Sequence, residues 1–195
     1  MHQSTPSSLK HRVKGLALVA ALAGAFVAVG GGIGQAASNA INVEAESQIE
    51  KLTYCYARGT DAIGRGDLAG GKSIYTGCFT NDAEVSVYFP GTDTNGPPDF
   101  VTTGTDSWAD FVESVFTGNG YTATQHHMGN VEVQLSGNQA TMSSYLHATH
   151  VVDNGTIDVA NGTYADEVVK QNGQWKIKRR VLKLITFINL GTPAP

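Results

Sequence analysis

Residues 121–152 read YTATQHHMGNVEVQLSGNQATMSSYLHATHVV, and the pattern of this segment indicates the class of fold. Apolar and polar residues alternate along most of it, which is typical of strands that bury one face. The pair Gly137-Asn138 interrupts the alternation and predicts a turn between two strands. The Asn-Gly pairs at 154–155 and 172–173 divide the rest of the chain. The C-terminal part therefore predicts a meander of four antiparallel strands.

The sequence before this stretch predicts mainly helices. Asn42 is expected to cap a first helix, in which apolar residues recur at helical spacing: Ile49, Leu52, Tyr56 and Ile63. A shorter helix is predicted over 68–75, a strand over 83–89, and a third helix from Thr105. Helices followed by long, strongly twisted strands favour an α+β fold. We expect three N-terminal helices to cover a strongly curved sheet and form a cone-shaped barrel with an inner pocket.

The N-terminal segment has the pattern of a signal peptide. Three basic residues precede an apolar run over 16–29, and small residues at 34 and 36 flank a cleavage site. The apolar run is shorter than the roughly 20 residues that a membrane-spanning helix needs. We predict a signal peptide over 1–36, a mature domain over 37–195, and export to the periplasm or medium with no membrane partner after cleavage.

Composition disfavours several classes of partner. The formal net charge is −4, and removal of the leader cations Lys10, Arg12 and Lys14 leaves −7. An acidic domain does not favour nucleic acid as a partner. No Gly-rich phosphate loop joins a predicted strand to a helix, and no Cys or His spacing is typical of a metal site. The sequence therefore predicts neither a cofactor nor a metal.

Cys55 and Cys78 are the only two cysteines of the chain. In an oxidising compartment they can form a disulfide between the first helix and the end of the second. Two buried thiols are an equally good interpretation, so the sequence leaves both open.

Strand parity separates the neighbouring histidines His126 and His127. In an uninterrupted strand, His127 shares the apolar face of Val131 and Val133, whereas His126 falls with polar residues. We therefore expect His127 in the pocket and His126 in solvent, unless a bulge intervenes. Imidazole titrates near neutral pH, so a buried one can transfer protons, although a purely structural histidine is the alternative. Rings on opposite faces cannot bind one metal ion.

Asp61 completes a spaced pattern that begins at Ile49, I-x2-L-x3-Y-x4-D. Four further motifs follow it in order: GDL at 66–68, FTNDA at 79–83, QHHMGN at 125–130 and GQWKI at 173–177. Together these motifs resemble those of the SnoaL-like branch of the nuclear transport factor 2-like superfamily, over nearly the whole mature chain. Among the enzymes of that branch, they are similar to hexachlorocyclohexane dehydrochlorinases and scytalone dehydratases.

The resemblance implies a cofactor-free lyase that eliminates water or halide from a small hydrophobic molecule. The family's aspartate matches Asp61 and its histidine matches His127, which makes His127 the general base and Asp61 its orienting partner. An isomerase or an epoxide hydrolase would use the same kind of pocket, and a binding protein without catalysis is the alternative from another class. The resemblance also implies a homodimer or homotrimer.

Four more residues are predicted to bind substrate. Tyr56 and Trp108 belong to the apolar faces of the first and third helices, and His150 shares the apolar face of its strand. Arg179 has the parity of the apolar residues in the last strand, although a bulge would exchange it for Arg180.

Asp61 does not lie on the apolar stripe of an ideal first helix. It reaches the pocket if the helix curves near Gly59, or if the opposite side of the last helical turn closes the cone. Otherwise Asp61 is an ordinary solvated carboxylate.

Overall fold

The computed structural model describes secondary structure for residues 28–191 and side chains for residues 41–191. The chain divides between Asn39 and Ala40 into two units. The predicted signal peptide, residues 1–36, lies largely outside the described residues. Within residues 28–191, no helix is long and apolar enough to cross a bilayer. The elements described below from Ala40 onward belong to the second unit.

Helices come first along the chain and long strands follow. The elements are α1 (Ala28–Ile63), α2 (Leu68–Cys78), β1 (Phe79–Tyr88), β2 (Phe100–Thr103), α3 (Thr105–Gly118), β3 (Tyr121–Ser136), β4 (Gln139–Val152), β5 (Ile157–Gln171) and β6 (Gln174–Asn189). The last four strands agree with the predicted meander. α1 begins upstream of the start predicted at Asn42, and the short β2 was not predicted.

Six strands form one curled sheet in the order β2-β1-β6-β5-β4-β3. β1 and β6 pair in parallel, and every other neighbouring pair of this sheet is antiparallel. Three helices and the curled mixed sheet confirm the predicted α+β cone. The sheet does not close into a full barrel.

The core lies between the inner face of the sheet and the helices. Along β4, alternate residues from Ala140 to His150 are buried, while most of their neighbours are exposed. The large buried side chains come from both layers, including Ile49, Tyr56, Tyr75, Phe79, Trp108, Met142, Leu146, Tyr164 and Ile177. Burying one such side chain stabilises the fold by roughly 1.5–3 kcal/mol. The burial of these side chains therefore strongly determines which face of each strand points toward the core.

A β-bulge interrupts β3. Gly129 pairs with Tyr145 and Glu132 pairs with Ser143, so two residues of β3 oppose one residue of β4. Asn130, inside the bulge, has φ 48°, in the left-handed region that asparagine tolerates better than most residues. Residues on the two sides of the bulge therefore follow opposite parities.

A second irregularity occurs in β6. Ile177 pairs with Val168 of β5, whereas Arg179 pairs with Glu167, so Lys178 is an extra residue. Buried positions are odd-numbered before this point and even-numbered after it. The inward residue at the bulge is consequently one position later than strict alternation predicts.

Cys55 in α1 and Cys78 at the end of α2 form a disulfide, with Cα atoms 5.7 Å apart. Of the two interpretations left open by the sequence, the structure has the bridge. It joins residues 23 positions apart, which stabilises the fold by about 3 kcal/mol in the chain-entropy description. The bridge also ties α1, which carries Tyr56 and Asp61, to α2.

Candidate active site

Asp61 and His126 meet where the last turn of α1 reaches β3. His126 Nδ1 lies 2.7 Å from Asp61 Oδ1, and the side chains are 6% and 16% exposed, respectively. Thr124 Oγ1 donates a hydrogen bond to the same carboxylate oxygen at 3.0 Å. The backbone N–H of His126 donates to Asp61 Oδ2 at 3.3 Å. Both carboxylate oxygens are therefore held in place.

The last turn of α1 is enclosed on more than one side. Ala62, Ile63 and Gly64 are consecutive and all buried, so the turn packs on β3 as well as on the core. A Cβ atom at Gly64 would lie 2.2 Å from Thr124 Oγ1, which means that only glycine permits this close approach. Asp61 reaches His126 because the side of the last turn opposite the apolar stripe packs against β3.

The structure places His126, rather than His127, beside Asp61. Thr124 and His126 lie on the inner side of β3, whereas His127 is exposed on the outer side. The bulge at Asn130 is the physical reason, because the inward set moves there to Val131 and the following odd positions. The predicted orientations of the two histidines are therefore both wrong. Asp61 contacts the inward histidine, His126, but is not itself among the residues that line the pocket.

The protonation of the pair follows from its contacts. Burial raises the pKa of Asp61, but the hydrogen bonds and the charge of His126, with the Thr124 hydroxyl, outweigh it, and the pKa is lowered overall. An ionised Asp61 only accepts hydrogen bonds, so His126 Nδ1 carries the proton between them. In the neutral ring, Nε2 then has the free lone pair. Because the ring lines the pocket, Nε2 is suited to accept a proton there.

The pocket is small and mainly apolar, with a cavity volume of about 100 Å³. Aromatic and aliphatic side chains supply most of its wall, among them Phe89, Trp108, Phe111, Phe116, Leu146, Leu182 and Phe187. For comparison, an apolar cavity of about 150 Å³ binds benzene. A few polar groups in an apolar pocket are typical of a small-molecule site. This pocket is smaller than the benzene-binding cavity, so a ligand of one ring would have to extend into its mouth or displace part of its wall.

His150 is a second imidazole in the pocket, as the sequence predicted. It is 3% exposed, and its ring centroid lies 5.6 Å from that of His126. Burial, together with the nearby charge of His126, lowers the pKa of His150 to about 4. The ring is therefore neutral at pH 7. Its Nδ1 faces the backbone carbonyl oxygen of Asp158 at 3.4 Å, which favours Nδ1 as the donor and leaves Nε2 as an acceptor.

Tyr56 and Trp108 line the pocket, where the sequence predicted them. The Tyr56 ring meets the His126 ring edge to face, with centroids 6.4 Å apart. The Tyr164 hydroxyl donates a hydrogen bond to the Tyr56 hydroxyl at 3.3 Å. The roles of Tyr56 and Trp108 in substrate binding stay predictions.

Arg179 is not a pocket residue, contrary to the prediction. Its side chain is 48% exposed on the outer face of the sheet, where it donates to Glu84 at 3.1 Å and to Glu167 at 3.4 Å. The extra residue Lys178 in β6 reverses the parity between Ile177 and Arg179, which moves Arg179 outward.

Arg180 points inward instead and forms a buried ion pair. Its Nε and a terminal nitrogen donate to the two carboxylate oxygens of Asp166 at 2.8 and 2.7 Å, and neither side chain is exposed. The guanidinium carbon lies 4.1 Å from the ring centroid of Tyr56 and 4.3 Å from that of Tyr164. The sequence analysis did not select Asp166. An acidic residue that alternates with the inward residues Tyr164 and Val168 would have indicated a buried carboxylate.

The fold and the pocket define a protein of the nuclear transport factor 2-like superfamily. Within that class, the sequence model of the SnoaL-like domain family matches residues 42–181, and the chain belongs to this family. No curated protein sequence matches the chain.

Solved structures with the same fold have different described functions. A candidate scytalone dehydratase from Novosphingobium aromaticivorans is 27% identical, with a TM-score of 0.59 over 78% of this chain and 92% of its own. A type 3 hexachlorocyclohexane dehydrochlorinase from Novosphingobium barchaimii is 16% identical, with a TM-score of 0.61 over 79% and 97%. The β subunit of a candidate aromatic-ring-hydroxylating dioxygenase from N. aromaticivorans is 19% identical, with a TM-score of 0.59 over 75% and 92%. The last two show a shared fold alone.

Proposed function

We propose that the protein is a cofactor-free lyase, of the dehydratase or dehydrohalogenase type, that acts on a small and largely apolar molecule. One observation carries the proposal, the 2.7 Å contact between Asp61 and His126 in the wall of an apolar pocket. Membership of the SnoaL-like family and the likeness to a candidate scytalone dehydratase support it. His126 takes the role of general base that the sequence had assigned to His127.

The proposed elimination begins when His126 Nε2 removes a proton from a substrate carbon. The electron pair of that C–H bond forms a carbon–carbon double bond, and hydroxide or halide leaves the neighbouring carbon with its own bonding pair. Asp61 stabilises the imidazolium, because an opposite charge at 2.7 Å interacts strongly in a poorly solvated site. The imidazolium then gives its proton to a departing hydroxide, which forms water, or to solvent after halide has left.

His150 has a proposed role in holding the leaving group before the reaction. The neutral ring has a lone pair on Nε2 and can accept a hydrogen bond from a substrate hydroxyl. Its ring lies close enough to His126 for both to contact one small molecule. Tyr56 and Trp108 would contribute aromatic surface against the apolar part of that molecule.

Asp61→Asn tests the proposal with two small one-ring probes. The first is 3-hydroxycyclohexanone, which loses water to a conjugated enone, and the second is trans-1,2-dichlorocyclohexane, which releases chloride. We expect the wild-type protein to convert at least one of them. Asp61→Asn should lower kcat/KM by about 10²- to 10⁴-fold, because the amide no longer fixes the tautomer of His126 or stabilises its positive charge.

Glu50→Gln is the matched control, because Glu50 is an exposed acidic residue on the same helix. It should retain the wild-type rate. Binding of the probes without turnover by the wild-type protein, or equal rates for the wild-type protein and Asp61→Asn, would contradict the lyase proposal. Binding without turnover would instead favour the alternative of a ligand-binding protein.

We also propose that the protein works outside the cytoplasm. The leader pattern over 1–36 supports this, and so does the disulfide between Cys55 and Cys78, because such bonds persist in oxidising compartments. N-terminal sequencing and intact mass of the chain from fractionated host cells should give a start near Ala37 and a mass two hydrogens below that of the reduced chain. A full-length, reduced chain recovered from the cytosol would contradict the proposal.

A further inference from the structure

The outer face of the sheet brings together two histidines that the proposed reaction does not use. His127 and His147 are direct partners in the register of β3 and β4, and both are exposed. Directly opposed residues point to the same face, with Cβ atoms about 4.5–5.5 Å apart. One metal ion can therefore contact both His127 and His147, whereas the rings of His126 and His127 lie on opposite faces of the sheet.

His147 is already oriented by its neighbours. Its Nδ1 lies 2.8 Å from Oδ1 of Asn161, its register partner on β5. The amide nitrogen of Asn161 donates to Thr186 Oγ1 on β6 at 2.9 Å, which turns the amide oxygen toward the imidazole. His147 must then donate from Nδ1, and its neutral ring has a lone pair on Nε2. Metal-binding histidines are typically fixed by such a hydrogen bond from the ring nitrogen that does not bind the metal.

The surroundings of the pair leave room for an ion and its water molecules. The two histidines border an open cleft of about 330 Å³ on the outer face, together with Tyr145 and Ile185. A Cβ atom at Gly129, two residues from His127 on the same strand, would contact nothing within 4 Å. The exposed His127 side chain can therefore rotate among its rotamers toward His147.

We propose that His127 and His147 bind one divalent transition-metal ion on the outer face of the sheet. Imidazole nitrogen favours Zn²⁺, Ni²⁺ and Cu²⁺, whereas Mg²⁺ and Ca²⁺ prefer oxygen ligands. His147 Nε2 supplies one ligand, a ring nitrogen of His127 supplies the second, and water fills the other positions. Within the described residues, no cluster of three or more His, Cys, Asp and Glu side chains is suited to a metal. The proposed site thus has two protein ligands and an ion that exchanges with solvent.

Calorimetric titration of the full chain with ZnCl₂ at neutral pH tests the site, provided that the protein carries no histidine tag. We expect one Zn²⁺ per chain. His127→Ala and His147→Ala should each abolish measurable binding. Asn161→Ala should weaken binding by about 10-fold or more, because loss of the partner that orients a ligand typically has this effect. Thr149→Ala, an alteration on the same outer face, should bind like the wild-type protein.

The pocket histidines provide the decisive comparison, because His126 and His150 also lie close to each other. His126→Gln and His150→Gln should bind Zn²⁺ like the wild-type protein. Loss of binding in His126→Gln, with binding retained in His127→Ala, would place the ion in the pocket and overturn the proposal. Absence of Zn²⁺ binding by the wild-type protein would also overturn it. Circular dichroism verifies that each variant is folded, and His127→Gln and His147→Gln replace any alanine variant that is not.

Discussion

His126→Ala is expected to lower kcat/KM for the converted ring probe by about 10³-fold, because a positioned general base typically contributes 10²- to 10⁴-fold. The substitution removes the imidazole whose Nδ1 is held by Asp61 and whose Nε2 is left to accept a proton. Rates of enone formation or chloride release measure the effect. Added imidazole should restore part of the rate by entering the space left by the side chain, an outcome that a purely structural role for His126 would not produce.

Gln125→Ala is the control for this experiment. Gln125 precedes His126 directly and is exposed on the opposite face of β3, so its substitution should leave the rate unchanged. Equal losses of rate in the two variants, with folding intact, would show that any substitution in this part of β3 lowers the rate. The imidazole of His126 would then have no specific role. A wild-type rate in His126→Ala would exclude His126 as the base.

Arg180→Met is expected to lower the free energy of unfolding by about 3–5 kcal/mol. Methionine fills a similar volume but leaves the carboxylate of Asp166 without its partner, at a position with no solvent exposure. Breaking a buried pair in this way is costly because the remaining charge is neither paired nor hydrated. Urea denaturation followed by circular dichroism measures the change.

Arg179→Met is the matched control, since Arg179 is the neighbouring residue with its own two ion pairs. Those pairs are about half exposed, and such surface pairs contribute about 0–1 kcal/mol. The double variant Arg180→Met/Asp166→Leu should recover most of the stability that Arg180→Met loses, because it removes both charges. Similar losses for Arg179→Met and Arg180→Met would contradict the assignment of Arg180 to the core.

The architecture could be predicted from the sequence because its signals are local and repeated. The alternation over 121–152 and the Gly-Asn and Asn-Gly turns predict strands over 124–135, 139–152, 156–170 and 174–189, whose ends lie within three residues of those of β3 to β6. β2 was missed because four residues at a sheet edge carry too little periodicity to be distinguished from a loop. The upstream start of α1 was missed because a cap at Asn42 is a local preference that neighbouring helical residues can override.

Both errors of orientation in the site have the same physical origin. Inward and outward positions alternate only as far as the next irregularity in a strand. One extra residue in β3 therefore exchanged the orientations of His126 and His127, and one in β6 exchanged those of Arg179 and Arg180. In β3 a signal was available, because the pair Gly129-Asn130 inside a strand pattern is itself typical of a bulge. Lys178 in β6 offers no comparable signal.

The position of Asp61 could not be derived from the helix alone. Its approach to the pocket depends on how closely β3 packs against the end of α1, which is a tertiary contact permitted by the absence of a side chain at Gly64. A helical wheel contains no information about that neighbour. The family motif identified Asp61 where helical periodicity gave no reason to select it.

The disulfide also changes what a protease can do to this protein. Arg65 is exposed in the short connection between α1 and α2, and the Cys55–Cys78 bridge spans that connection. Cleavage after Arg65 would break the backbone but leave the two fragments covalently joined, with Asp61 on one fragment and His126 on the other. A chain nicked there would keep Asp61 and His126 in a single molecule for as long as the bridge stays oxidised.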